Sequence, residues 1–147
     1  MEDKFKRTEY HLYNYKDIDK LNKLDEIKIK QLENDITLSA VQYDKDSISP
    51  TNAFHSNVED EVIKREEHIK HKVEYLKNNI EKRNLEKELI ITSLSLLEDE
   101  EKKLVELRYF SKPKRSWDSI ALELNQSKDN CIKVRKKIIE RLSEYIL

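Results

Sequence analysis

Glycine is absent from this chain of 147 residues, and proline occurs only twice. Glycine supplies the positive-φ positions of tight turns and lets a backbone approach a ligand phosphate closely. Its absence therefore excludes dinucleotide-binding and Walker-type glycine loops. It also disfavours a large β-sandwich, because β-hairpins depend on Gly and Asn-Gly turns. Together these absences predict an all-α protein.

Cysteine and long apolar runs are also scarce. Cys131 is the only cysteine, so an intramolecular disulfide is impossible. The longest apolar stretch, around residues 89–91, is far too short to span a bilayer, and no signal-peptide apolar region follows Met1. We therefore expect a cytoplasmic protein without a membrane partner.

Charge is what the chain has in abundance, since 40% of its residues are charged and 37% are hydrophobic. This balance predicts a thin core under a large solvated surface. The charge is also uneven: residues 111–147 carry nine basic and five acidic side chains, whereas residues 1–110 carry 20 basic and 25 acidic ones. A basic end is typical of polyanion binding, although a solvated helix of mixed charge would give the same balance.

Residues 1–96 are predicted to form a helical region for oligomerisation or partner binding. Its tyrosine-rich start, residues 1–15, either packs onto a helix or remains mobile. The pattern then predicts an amphipathic helix from Lys16 to about Leu38 and a loop over about 40–57. A long helix over about 59–94 follows, introduced by a possible capping box at Ser56–Glu59.

The long helix carries a heptad stripe, in which the spacing alternates between four and three residues. The stripe is apolar except at Arg83 and Lys87, and its other positions are Ile69, Val73, Leu76, Ile80, Ile90, Leu94 and Leu97. Such a stripe must be buried, so the long helix pairs with the helix before Pro50, with a second copy of itself, or with both. We expect a homo-oligomer, most simply a dimer.

Residues 97–147 are predicted to form a separate domain that ends in two helices joined by a tight turn. Ser116 and Ser127 stand where helix N-caps belong, and Asn125 can adopt the left-handed conformation of a C-cap. Ala121 is small enough for close helix packing, and the last helix is predicted to bury Cys131, Val134, Ile138 and Leu142. This order predicts a helix-turn-helix motif, with an ordinary helical hairpin as the alternative.

The exposed face of the last helix is predicted to enter the major groove of DNA, where Lys and Asn side chains can contact base edges. Flanking basic residues are expected to contact phosphates. The predicted DNA-binding residues are Lys112, Lys114, Arg115, Ser127, Lys128, Asn130, Lys133, Arg135, Lys136 and Lys137. No catalytic residue, metal site or cofactor is predicted, since His68 and His71 have no third ligand nearby.

A resemblance to region 4 of the sigma-70 family is carried by Leu97-x2-Glu100-Glu101-x2-Leu104-x2-Leu107-Arg108-Tyr109-Phe110, Ser116-Trp117-x2-Ile120-Ala121-x2-Leu124 and Ser127. More narrowly, the chain is similar to the RinA/ArpU-type late-gene transcription activators of phages of Gram-positive bacteria. Tyr13-Asn14-Tyr15 and Ser49-Pro50-Thr51-Asn52 also resemble that group.

The resemblance implies a non-enzymatic activator of late phage genes that binds promoter DNA in the nucleoid of a bacterial host and could contact RNA polymerase. No sigma region 2 is present, so promoter melting is not expected. Two other functions fit the same residues. One is a small terminase subunit, which marks phage DNA for packaging and assembles as a ring. The other is a helical scaffold or adaptor that does not bind DNA.

Overall fold

The structure is a computed structural model that describes residues 2–46 and 55–147 of the chain. Within these ranges it contains helices and no strand, so the predicted all-α class is confirmed. In chain order the helices are α1 (Glu2–Asn14), a short 3-10 helix (Tyr15–Asp17), α2 (Ile18–Asp46), α3 (His55–Leu94), α4 (Asp99–Tyr109), α5 (Trp117–Leu124) and α6 (Lys128–Ile146).

The loop predicted over about 40–57 is too long. Helix α2 continues to Asp46 and α3 already begins at His55, so of the predicted loop only residues 47–54, including Pro50, lie outside the described residues. The helix continues past Leu38 because Ala40 and Gln42 are good helix formers, and the first cluster of turn-forming residues comes later in the chain. Ser56 consequently lies inside α3 rather than at its N-cap, so the predicted capping box is wrong.

Two compact units make up the chain. We call residues 20–82 the middle unit, and residues 1–19 together with 83–147 the composite unit. The sequence-based boundary between 1–96 and 97–147 places the first helix with the long helices. In the structure, by contrast, the first helix belongs to the same unit as the C-terminal helices.

The middle unit has a small core built from the heptad stripe of α3 and one face of α2. Ile29, Ile69 and Val73 are buried, and Leu32, Ile36, Leu76 and Ile80 pack around them partly exposed. The part of the stripe from Ile69 to Ile80 is therefore covered by the preceding helix, one of the partners that the spacing allowed, whereas Ile90, Leu94 and Leu97 lie in the core of the composite unit. Pairing with a second copy remains a prediction.

The composite unit holds the larger core, which surrounds α6. Cys131, Ile138 and Leu142 of the predicted stripe are fully buried, and Val134 packs against them partly exposed. Ile90 and Leu94 at the end of α3 and Leu104 and Val105 of α4 complete this core. Burial of apolar side chains from four helices around α6 fixes the orientation of that helix in the unit.

Helix α1 covers part of the same core. The sequence left open whether residues 1–15 pack onto a helix, and in the structure α1 does. Thr8 and Leu12 are fully buried, and His11 Nδ1 lies 2.5 Å from Glu86 Oε1 of α3. Helix α1 thus packs onto α6 and α4 instead of remaining mobile. In the described part of the chain, no helix combines the length and apolarity that crossing a membrane requires.

Candidate nucleic-acid interface

Residues 125–127 connect α5 to α6 in a short turn. Asn125 adopts the left-handed conformation, with φ 54° and ψ 40°, and the backbone N–H of Gln126 donates to Ala121 O at 3.1 Å. This hydrogen bond satisfies a carbonyl at the end of α5 that has no partner within its helix. Asn is one of the few residues other than Gly that adopt this conformation readily, so the turn forms without glycine.

Both predicted N-caps are confirmed. Ser116 Oγ accepts from the backbone N–H of Ser119 at 3.2 Å, and Ser127 Oγ accepts from the backbone N–H of Asn130 at 3.1 Å. Each cap satisfies an amide that has no partner within its helix. Ala121 is buried, as expected of the small residue between the two helices. The caps at Ser116 and Ser127, the small Ala121 and the left-handed Asn125 therefore define the turn and the two helix starts.

The solvent-facing side of α6 carries the basic residues that sequence analysis assigned to DNA. Lys133, Lys136 and Lys137 are exposed, and none of them forms a hydrogen bond or ion pair with any residue in 2–46 or 55–147. Asn130 is also exposed, and its Nδ2 donates to Gln126 Oε1 at 2.9 Å. These four side chains can bind a partner without breaking an ion pair.

Lys128 and Arg115 lie close to the motif but are already engaged. Lys128 Nζ is 3.6 Å from Asp118 Oδ1, with both side chains exposed. The Arg115 guanidinium forms an ion pair with Glu123, and its Nη2 donates to Ser119 Oγ at 2.9 Å. Exposed ion pairs contribute at most about 1 kcal/mol, so a phosphate can compete for either cation.

Lys112 and Lys114 occupy the loop before α5, and both are exposed. Lys112 forms an ion pair with Asp17, and Lys114 Nζ lies 4.7 Å from the centre of the Tyr13 ring. Residues in the last turn of α1 and just after it therefore contact the basic loop. The structure brings this loop into the same unit as α6.

Arg135 points away from the basic face. Its side chain is only 23% exposed, and its Nη1 donates to Glu9 Oε1 of α1 at 2.8 Å. Its guanidinium also lies against the rings of Phe5 and Trp117, at 5.2 and 5.4 Å from their centres. Because these contacts hold it under α1, we leave Arg135 out of the DNA-binding surface proposed below.

A polar cluster that sequence analysis missed joins α1 to α4, α5 and α6. Tyr109 is buried, and its hydroxyl donates to Glu9 Oε1 at 2.7 Å; burial raises the pKa of Tyr109 above its usual range. Trp117 lies between Arg135 and Arg108, whose guanidinium is 4.4 Å from the centre of the indole ring. These residues are about 100 positions from Glu9, and no local spacing signals such a contact.

One side of the motif is acidic. A groove of about 540 Å³ beside the turn is lined by Asn130 and Lys137, and also by acidic residues at Glu98, Glu100, Glu101 and Glu123. Lys103 also lines this groove, so the four carboxylates there face two cations, and Lys133 and Lys136 of α6 lie outside its lining.

Comparison with known families gives one match. The model of a family described as "Protein of unknown function (DUF722)" matches residues 18–144. The chain belongs to that family, and the match covers α2 to α5 and most of α6. No curated protein matches the chain, and no solved structure does.

Proposed function

We propose that this protein binds double-stranded DNA through α5 and α6 and activates transcription, in the manner of the phage late-gene activators that its sequence resembles. One observation carries the proposal. A doubly capped helix-turn-helix presents Asn130, Lys133, Lys136 and Lys137 on its solvent-facing side, and none of these side chains is held by an ion pair within the described ranges.

Base recognition in this proposal comes from the first turns of α6. Ser127 ends the turn and fixes where α6 begins, so Asn130 and Lys133 lie in the part of the helix that enters a major groove in helix-turn-helix proteins. Asn donates to and accepts from adenine, and Lys donates to guanine acceptors. These two residues are the proposed source of sequence specificity.

Phosphate binding comes from residues around that helix. Lys112, Lys114 and Arg115 precede α5, while Lys128, Lys136 and Lys137 lie along α6. Each is exposed or partly exposed, and their charges neutralise phosphates irrespective of the base sequence. Ser127 completes the set as the cap of the recognition helix.

An activator must also present its DNA-binding unit to other proteins. We propose that the middle unit supplies dimerisation and that RNA polymerase is the further partner. The thin core of that unit, with Ile29, Ile69 and Val73 as its buried residues, supports dimerisation, because two packed helices bury little apolar surface on their own.

Sequencing of the fragments that the protein captures from sheared genomic DNA of a phage-carrying host tests the proposal. We expect enrichment of a fragment upstream of a late-gene cluster. The control is Asn130→Ala/Lys133→Ala, which should capture DNA without that enrichment.

Enrichment of a packaging site, together with the mass of a large ring, would instead support the small-terminase function. A complete failure to capture DNA would contradict both functions and would support a scaffold.

A further inference from the structure

The basic loop before α5 is held by residues from the other end of the chain. Lys114 Nζ lies over the Tyr13 ring at 4.7 Å, and Lys112 forms an ion pair with Asp17. The rings of Tyr15 and Phe110 lie 4.7 Å apart at the start of this loop. Three separate contacts therefore attach the loop to residues 13–17.

Tyr13 is itself fixed in place. Its ring meets the ring of Tyr109 at a centroid distance of 4.6 Å and an interplanar angle of 61°, a favourable edge-to-face arrangement. Tyr109 is buried and bonded to Glu9, so the Tyr13 ring forms a rigid platform. A lysine held over such a ring by a cation–π contact loses fewer rotamers when it binds a ligand.

A further lysine, Lys16, lies near the start of the loop. It is exposed, and its Nζ lies 5.9 Å from the centre of the Phe110 ring. The acidic group beside it, Asp17, already forms an ion pair with Lys112. Glu106 and Lys102 line the same groove as Lys16. Neither Lys16 nor Lys114 forms an ion pair with a residue in 2–46 or 55–147.

We infer that residues 13–17 are part of the DNA-binding surface: Lys16 binds a backbone phosphate beside Lys114, and Tyr13 is a positioning residue for Lys114. This inference rests on the proposed DNA-binding function and extends it to a segment outside the helix-turn-helix. Contacts of this kind position the protein on the duplex without reading its sequence.

The test is a set of salt titrations of full-length variants on a mixed-sequence DNA duplex that spans two major grooves. Each phosphate contact contributes about 1 to the slope of log K against log salt. We expect Lys16→Ala and Tyr13→Leu each to reduce that slope by about 1. Tyr13→Phe, which keeps the aromatic platform, should retain the slope of the unmodified protein.

Lys72→Ala is the control, because Lys72 is an exposed lysine of the middle unit and lies neither in the loop nor on α6. It should leave the slope unchanged. A double-mutant cycle separates positioning from simple packing: if Tyr13 acts through Lys114, Tyr13→Leu should have no further effect in a chain that already carries Lys114→Ala.

Unchanged slopes for Lys16→Ala, with normal folding and with Asn130→Ala still losing specificity, would overturn this inference and leave the proposed function intact. Additive losses in the double mutant would overturn the positioning role of Tyr13. An unmodified protein that binds no duplex under any salt condition would overturn both the inference and the proposed function.

Discussion

Tyr109 and Arg135 share one carboxylate oxygen, Oε1 of Glu9, at 2.7 and 2.8 Å. This oxygen accepts from side chains of both α4 and α6, so one acidic side chain of α1 links two further helices. A hydrogen bond to a charged group contributes more to stability than a neutral one. Removal of this contact should therefore lower the stability of the folded chain.

Tyr109→Phe should lower the free energy of unfolding by about 2 kcal/mol, since it removes a buried hydrogen bond to a charged group. Tyr10→Phe is the control, because Tyr10 is 65% exposed, and it should leave stability unchanged. Urea titrations followed by circular dichroism measure both. Equal stability of the two variants would show that the Glu9 contact contributes nothing.

The contact between Tyr109 and Glu9 also makes the free energy of unfolding depend on pH in the alkaline range. Burial raises the pKa of Tyr109 in the folded state, so above pH of about 10 the unfolded chain loses a proton that the folded chain keeps. Stability contributed by this group is therefore complete below that pH and falls as the pH rises further. We expect the stability gap between the unmodified protein and Tyr109→Phe to narrow in urea titrations above that pH.

Ser127→Ala should cost about 1 kcal/mol, the usual value for a lost N-cap. Ser127→Thr keeps a hydroxyl at the cap and should recover most of the loss. Thermal unfolding of the two variants provides the measurement. If alanine and threonine are equally stable there, the hydrogen bond from the Asn130 amide does not stabilise α6.

Elements differ in how far their sequence determines them. The caps at Ser116 and Ser127, the left-handed Asn125 and the buried stripe of α6 follow from local chemistry and spacing, and all are present. The end of α2 and the start of α3 were misplaced, because a loop was assigned to residues that extend both helices. Such boundaries depend on weak propensities that neighbouring turns override.

Helix α1 could not have been placed from its own residues. Its buried Leu12 lies in one core with Ile90 and Leu104, which are far along the chain, and no periodicity reveals them. For the same reason Arg135 was assigned to DNA: its flanking position on α6 indicates exposure, whereas Glu9 and Phe5 cover it. Sequence analysis thus identified the motif and its basic face, but not the helix that braces it.

A test at the element scale uses the two faces of α3. Ile69 is buried in the core of the middle unit, whereas Ile63, on the same helix, is 46% exposed. Ile69→Asp should destabilise that unit by about 3 kcal/mol or more, because it buries an unpaired charge, and Ile63→Asp should have little effect. Comparable melting curves for both variants would contradict the assigned face.

The composite unit joins residues from both ends of the chain. The core around α6 is covered by Leu12 from α1 and by Ile90 and Leu94 from α3. A fragment of residues 97–147 would expose that surface, so we expect it to lack a cooperative thermal transition. A fragment that melts cooperatively, like the full chain, would show that the motif folds without its N-terminal brace.

Binding of DNA by the exposed face of α6 is the central claim, and a competition titration tests it most directly. The affinity of the unmodified protein and of Asn130→Ala and Lys133→Ala is measured on the enriched genomic fragment and on a scrambled duplex. Lys72→Ala, an exposed lysine of the middle unit, serves as the control.

The account predicts that each α6 variant loses about 1–3 kcal/mol on the enriched fragment and little on the scrambled duplex, while Lys72→Ala loses nothing on either. Equal affinity of all four proteins for both duplexes would contradict it.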